Sequence, residues 1–355
     1  MYHKSLSAAL LVAAAVLSVS AGFAQSFVLD LPRQSQHAVL TQRIGITDIT
    51  VNYHRPLVNG RKIWGGLVPY GQVWRAGANE NTTVQFKDAV SVEGQPLPAG
   101  TYGLHMIPGE NEWTVIFSKN CTSWGSFTYK EAEDALRVKV TPQATDMHEA
   151  LTYDFDDVKP DATVLTLRWE KVAVPVKIGV NTHEIVQASL QKQLRGLAQY
   201  TWLGGDEAAN YLLAEKYDYD EALKYTAASI QNEERFDNLM TKANVLDAMG
   251  KKEDATTARN KALAMANAIQ MHGYARQLQA EGKQAEAFEI FQQNAKKNPD
   301  QWVVHVGLAR MYSGQGNFSK ASQEMNMAIS GAPDGQKQPL QALAKRLEDK
   351  EDINK

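Results

Sequence analysis

The chain has 355 residues, a formal net charge of −3 at pH 7 and a single cysteine. Because binding to nucleic acid needs a basic surface, this mildly acidic composition excludes nucleic acid as the expected partner. The lone Cys121 excludes an intramolecular disulfide, so the fold must be stabilised by its hydrophobic core, and the length is sufficient for two domains.

The first 24 residues have the pattern of a secretory signal peptide. Lys4 supplies the positive start, residues 6–19 are an apolar run, and Gly22 and Ala24 provide small residues for cleavage. The run is shorter than the roughly 20 apolar residues of a membrane-spanning helix, and no later stretch resembles such a helix. We therefore expect an exported protein that is cleaved near Ala24 and has no membrane span.

Residues from His37 to about Val180 have the hydrophobic pattern of β-strands. Apolar and polar residues alternate with period two, and turn residues such as Pro108 and Gly109 separate the runs. About nine strands are expected, with no helical pattern of useful length among them. We therefore predict an antiparallel β-sandwich over residues 30–180, with a closed barrel as the alternative that alternation alone leaves open.

Helix-forming residues dominate after Asn181. We expect a linking helix over residues 181–204 and helical repeats over residues 205–349. A small residue recurs at spacings of 33, 32 and 34, at Ala222, Ala255, Ala287 and Ala321. Five positions before each of these alanines lies a residue suited to a turn, namely Tyr217, Gly250, Gly282 and Gly316. The period and the glycines resemble tetratricopeptide repeats, which predicts about four helix hairpins.

Three polar residues follow the small residue of successive first helices. Asn244, Arg276 and Arg310 share this register, which faces the concave groove in repeats of this type. Two guanidinium groups one repeat apart could hold a carboxylate, such as that of a peptide C-terminus. The alternative is that these arginines are solvated on the surface of an amphipathic helix.

Several unusual short sequence motifs occur in a specific order in the β-region. They include residues 53–56 (YHRP), 60–65 (GRKIWG), 73–80 (VWRAGANE) and 97–102 (LPAGTY). Over residues 30–180 the chain thereby resembles the exported bacterial family known as domain of unknown function (DUF) 2911. The resemblance implies a periplasmic protein of a Gram-negative bacterium, in which helical repeats often follow the β-domain. It implies no activity.

Residues 52–80 are unusually rich in tryptophan, tyrosine, arginine and glycine. Aromatic faces beside arginine, amide and carboxylate groups are typical of a site for a sugar or a small anion. The same residues could instead close one end of the sandwich, with the tryptophans capping the core and Arg75 paired with Glu80 or Glu170. The candidate ligand-binding residues are Arg61, Trp64, Tyr70, Trp74, Arg75, Asn79 and Glu80.

Other chemistry has weaker support. His54, His105 and His148 match no zinc-binding spacing, so we expect no metal, and no motif indicates a cofactor. Cys121 has no histidine nearby in sequence, and no motif identifies a catalytic residue.

The sequence therefore favours a non-catalytic binding or protein-interaction module. A small ligand or envelope polymer would bind the β-domain, and a protein or peptide would bind the repeat groove. One alternative is an envelope hydrolase that uses the same pocket, with Glu80 or His54 as acid or base. The other is a purely structural pair of domains.

Overall fold

The computed structural model describes residues 31–355, so the predicted signal peptide lies outside the described residues. The chain divides into two compact units, of which the first ends at Ile185 and the second begins at Val186. We call them the β unit and the helical unit.

The β unit contains ten strands within the described residues. They form an antiparallel six-stranded sheet with the order β1-β2-β3-β6-β7-β8 and an antiparallel four-stranded sheet with the order β5-β4-β10-β9. Neither sheet closes on itself, which confirms the sandwich class and excludes the barrel. The strands are β1 (Gln36–Ile44), β2 (Thr47–Arg55), β3 (Thr83–Phe86), β4 (Val90–Val92), β5 (Gln95–Leu97), β6 (Gly100–Ile107), β7 (Trp113–Ser118), β8 (Asp134–Val140), β9 (Gln143–Asp156) and β10 (Ala162–Gly179).

Alternating side chains from both sheets meet in one core. Val51 of β2, Leu104 of β6, Leu167 and Val174 of β10 are each no more than 1% exposed. Burial of such apolar surface is the main force that holds the two sheets together.

The last strand is longer than its sequence pattern suggests. The polar pair Glu170 and Lys171 reads as a break between two strands, but β10 continues through both residues to Gly179. Glu170 adopts a left-handed φ of 56°, and the register with β9 shifts on either side of it. The break is thus a β-bulge, which bends a strand without ending it.

Backbone hydrogen bonds join the two sheets along one side of the sandwich. The chain just after β2 pairs with β9 of the other sheet, through an antiparallel bridge between Leu57 and Ala150. Val58 N donates to Glu149 O at 2.8 Å, and Leu151 N donates to Pro56 O at 3.0 Å.

The second unit consists of helices that pack as antiparallel pairs, as the repeats predicted. Within the described residues the structure has ten α-helices, and no helix there is long and apolar enough to cross a membrane. They are α1 (Thr182–Gln193), α2 (Trp202–Ala214), α3 (Tyr219–Asn232), α4 (Phe236–Ala248), α5 (Lys252–Met265), α6 (Ala268–Ala280), α7 (Gln284–Lys297), α8 (Trp302–Gly314), α9 (Phe318–Gly331) and α10 (Asp334–Glu348). The hairpins are α2–α3, α4–α5, α6–α7 and α8–α9.

The turns of the hairpins follow the glycine pattern with one exception. Gly250, Gly282 and Gly316 have φ between 75° and 78°, the left-handed conformation that ends a helix and that glycine adopts most readily. In the first hairpin the equivalent residue is Lys216, with φ 54°, and not Tyr217. The loop after it is one residue longer, so alignment on Ala222 places the turn one position too late.

Candidate functional site

Two long connections of the β unit meet beside each other. Residues 56–82 link β2 to β3, and residues 119–133 link β7 to β8. They pair through a bridge between Glu80 and Trp124, and Asn81 N donates to Ser123 O at 3.0 Å. Connections of this length inside a compact domain are usually functional. This region is therefore where a site of the β unit should be sought.

Trp64 and Trp74 belong to a cluster of four indole rings in the core. Trp64 is 9% exposed, and its ring centroid lies 4.8 Å from that of Trp113 and 5.8 Å from those of Trp74 and Trp169. Trp74 stacks on Trp169 at 5.9 Å and donates its Nε1–H to the carbonyl of Gly77 at 3.2 Å. The two candidate tryptophans thus contribute to the packing of the core.

Arg61 and Tyr70 have other contacts. Arg61 donates to the carbonyls of Leu57 and Val58, which fixes the turn after β2. The Tyr70 ring covers Gly65, where a Cβ atom would lie 2.8 Å from its Cε2. Within residues 31–355 neither side chain shares a hydrogen bond or ion pair with Arg75, so the structure does not join all seven candidates into one constellation.

Glu80 is held by partners that the sequence did not indicate. Its carboxylate accepts from Arg33 Nη1 at 2.5 Å and lies 3.4 Å from His54 Nε2. Burial opposes ionisation of Glu80, but the Arg33 hydrogen bond, a backbone hydrogen bond and the Arg33 charge outweigh it, so the pKa of Glu80 is lowered. Burial also lowers the pKa of His54 despite the nearby Glu80 charge, so His54 is neutral at pH 7.

Arg75 has no acidic partner among residues 31–355. The expected pairing with Glu80 or Glu170 is absent, because Glu80 binds Arg33 and the Glu170 carboxylate accepts from Lys171 N. Arg75 Nε is buried without a hydrogen-bond acceptor among the described residues, and burial lowers the pKa of the guanidinium. A partly desolvated arginine without a counter-ion is costly in a folded protein. An anionic ligand would supply the missing counter-ion.

The connection that approaches Arg75 at Gly125 carries two exposed aromatic rings. Trp124 is 57% exposed and Phe127 is 86% exposed. Phe127 and Arg75 both lie close to Gly125. A Cβ atom on Gly125 would lie 2.8 Å from the Phe127 ring and 3.4 Å from Arg75 Nη1. The Arg33 guanidinium lies 5.9 Å from the Trp124 ring centroid, within range of a cation–π contact.

The backbone around Arg75 is held in an unusual conformation. Ala76 and Asn79 have left-handed φ values of 50° and 58°. The Ala76 carbonyl accepts from Tyr153 Oη at 2.8 Å and from Thr82 Oγ1 at 3.2 Å, and the Asn79 side chain donates to Ser35 O at 3.3 Å. Strained backbone that the core enforces in this way is enriched at functional sites.

The histidines do not form a metal site. His105 is buried and contacts Ser126 Oγ through Nδ1 at 3.0 Å, and burial lowers its pKa to about 4 despite the nearby Asp134 charge. His148 lines a separate cleft of 430 Å³ that also contains Arg55. In residues 31–355 no group of three or more His, Cys, Asp or Glu side chains is arranged to hold a metal ion.

In the helical unit the three candidate residues of the repeat groove, Asn244, Arg276 and Arg310, differ in their contacts. Arg276 donates to Gln279 Oε1 at 2.7 Å on its own helix, and Arg310 donates to the carbonyl of Ile353 at 2.8 Å. The Asn244 side chain is half-buried on α4 and makes no hydrogen bond within the described part of the chain. Burial, together with the charges of Arg310 and Arg276, lowers the pKa of His272 to about 4.

Sequence reasoning missed three contributors to the β-unit site. Trp124 and Phe127 lie in a connection that was considered only for Cys121, and Arg33 precedes the first strand. The available signal was the run of residues 124–127 (WGSF), in which two aromatic residues lie close to a glycine.

Comparisons with known proteins agree with this architecture. Residues 35–178 match the family described as "Protein of unknown function (DUF2911)", which confirms the resemblance seen in the sequence. Residues 278–347 match the tetratricopeptide repeat, a unit that generally mediates protein interactions. No curated protein matches the chain.

Proposed function

We propose that the β unit is a non-catalytic binding domain for a carboxylate-bearing sugar unit of an envelope polymer, and that the protein acts after export to the periplasm. The observation that carries this proposal is Arg75, a partly buried guanidinium with no counter-ion among residues 31–355, next to the connection that carries the exposed rings of Trp124 and Phe127. Export is proposed from the signal pattern of residues 1–24.

Each group near Arg75 has a role that fits such a ligand. The guanidinium offers a planar fork that matches a carboxylate, and such charge-assisted bonds contribute about 1.5–3 kcal/mol. The exposed rings of Trp124 and Phe127 offer flat apolar faces for the C–H face of a sugar. The neutral imidazole of His54 can exchange hydrogen bonds with hydroxyl groups without adding charge.

The protonation states argue against the hydrolase alternative. Glycoside hydrolysis needs one group that donates a proton and one that accepts it or attacks. At neutral pH Glu80 is an ionised carboxylate bound to Arg33, and His54 is a neutral imidazole. Neither is the raised-pKa acid that the reaction requires, so binding is the function this geometry supports best.

The proposal is tested by calorimetric titration of the mature protein with glucuronate, with glucose as the neutral counterpart. We expect glucuronate to bind and glucose to bind at least tenfold more weakly, because only the carboxylate pairs with Arg75. Arg75→Ala should abolish the preference and unfold within about two degrees of wild type, since the side chain has no hydrogen bond or ion pair within residues 31–355 to lose. Arg43→Ala, which removes an exposed arginine of β1, should leave binding unchanged.

Two results would overturn the proposal. Arg75→Ala could lower the unfolding temperature by several degrees while wild type binds neither sugar, which would make Arg75 structural. Alternatively, oligoglucuronate could be cleaved to new reducing ends in a reaction that His54→Gln abolishes, which would make the domain a hydrolase.

A further inference from the structure

The segment 349–355, which follows α10, folds back onto two of the first helices of the repeats. Asn354 Nδ2 donates to the Arg310 carbonyl of α8 at 2.9 Å, and its Oδ1 accepts from Gln279 Nε2 of α6 at 2.9 Å. Arg310 in turn donates to the Ile353 carbonyl. We call the surface formed by Arg276, Gln279, Arg310 and Ser313 the α6–α8 groove.

The groove binds this segment much as a receptor binds an extended peptide. Ile353 is 3% exposed and packs in a core cluster with Val306, Leu340 and Leu347. Its N–H donates to Ser313 Oγ at 3.0 Å, and its carbonyl accepts from Arg310 Nη1 at 2.8 Å. A buried side-chain anchor combined with hydrogen bonds to the backbone is the general pattern of peptide recognition.

The segment leaves the positive charge of the groove unmatched. Asp352 is the acidic residue whose charge acts on Arg310, but its Oδ1 bonds to Ser313 Oγ and to the backbone and side chain of Asn354, and to no guanidinium of the described residues. Arg310 Nε and His272 Nδ1 are buried without a hydrogen-bond partner among the described residues. Burial together with the charges of Arg276 and Arg346 lowers the pKa of Arg310 to about 10 despite the nearby Asp352 charge.

We propose that the α6–α8 groove is a binding site for a peptide C-terminus and that the segment 349–355 occupies it as a weak internal ligand. The preferred ligand ends in an aliphatic residue that follows an acidic one, as Ile353 follows Asp352. Its α-carboxylate then lies where the Ile353 carbonyl lies now, opposite Arg310 and close to Arg276. This site is independent of the one proposed at Arg75.

Replacing the carbonyl by a carboxylate changes a neutral hydrogen bond into a charge-assisted one, which is roughly twice as strong. It also gives Arg310 Nε an acceptor that it now lacks. Together these gains predict that a free-acid peptide binds about tenfold more tightly than the same peptide as an amide. The internal segment competes for the groove, so the apparent affinity of wild type is reduced by the fraction of molecules in which the groove is filled.

The experiment uses the full chain with Ile353→Lys, which buries a charge beside Arg310 and releases the segment. Hydrogen exchange at residues 349–355 reports the release. The probe is a fluorescently labelled peptide with the sequence of residues 350–353 (KEDI), as the free acid and as the amide. We expect the free acid to bind the released variant about tenfold more tightly than the amide, and to bind wild type more weakly than the released variant.

Two further variants make the result specific. Arg310→Gln in the released background should remove the difference between acid and amide, whereas Arg195→Gln, an arginine outside the groove, should preserve it. If Ile353→Lys unfolds the last hairpin, Asp352→Ala combined with Asn354→Ala loosens the segment instead, because it removes the side-chain hydrogen bonds and leaves the core cluster complete. Equal binding of acid and amide, or no binding to a folded variant whose segment exchanges freely, would overturn the proposal.

Discussion

Replacement of Trp74 by phenylalanine should destabilise the β unit more than the same replacement of Trp64, although Trp64 is the more deeply buried residue. Trp64 is almost wholly buried, but its Nε1–H has no acceptor among the described residues. Trp74 is only partly buried, yet its Nε1–H donates to the Gly77 carbonyl. Trp64→Phe therefore removes an unsatisfied donor, and Trp74→Phe breaks a hydrogen bond.

The expected magnitudes follow from these contacts. Loss of indole volume costs on the order of 1–2 kcal/mol at either position. At Trp64 this cost is offset, because an unsatisfied buried donor destabilises the native state by about 1–3 kcal/mol. At Trp74 the lost bond adds about 1 kcal/mol and leaves the Gly77 carbonyl unpaired. We expect Trp74→Phe to lower the free energy of unfolding of the β unit by about 3 kcal/mol more than Trp64→Phe.

The assay must report on the β unit alone, because two units need not unfold in one transition. Native-state hydrogen exchange of β6 amides, such as that of Leu104, gives the unfolding free energy of this unit. If Trp64→Phe proved the more destabilising by over about 1 kcal/mol, the Trp64 N–H would have a partner and the reasoning would be refuted. Trp74→Phe should also weaken glucuronate binding, because Gly77 lies within the strained backbone that positions Arg75.

Two further predictions concern one residue in each unit. Lys216→Gly should raise the free energy of unfolding of the helical unit by about 1 kcal/mol, since Lys216 holds a left-handed φ of 54° where the other hairpins have glycine. Urea titrations followed by circular dichroism measure this change, and a loss of stability would show that the Lys216 side chain contributes packing. The β unit should lose up to about 3 kcal/mol between pH 6.5 and pH 4, because the unfolded chain takes up a proton near pH 6.5 that buried His105 accepts only near pH 4. The His105 contribution is complete above pH 6.5, so His105→Gln should flatten urea midpoints across that pH window, and an unchanged pH profile would contradict the assignment.

The fold could largely be predicted because its signals are local. Alternation identified the strands, and the recurring glycines identified the hairpins, since a left-handed turn depends on a few adjacent residues. Errors arose where distant residues decide the outcome. Glu170 and Lys171 read as a break between two strands, but pairing with β9 keeps the strand intact as a bulge. The turn at Lys216 carries no glycine to mark it.

The site was predicted only in part, because sequence proximity does not determine which side chains face each other. The sequence marks residues 74–80 as unusually polar, but it does not indicate that Glu80 bonds to Arg33, which lies 47 positions earlier. The contact between Arg310 and Ile353 spans 43 positions. Neither has a periodic signature, so neither could be derived from spacing.

The hydrogen bond between Tyr153 N and Tyr53 Oη joins residues 100 positions apart, close to where the two sheets are joined by backbone hydrogen bonds. Closing so long a loop requires most of the β unit to be synthesised and roughly placed before this contact contributes any energy. The helical hairpins form from neighbouring helices and need no such wait. Folding speed falls as contacts become less local, so the two halves of this chain acquire their structure on different timescales, with the amino-terminal half the slower.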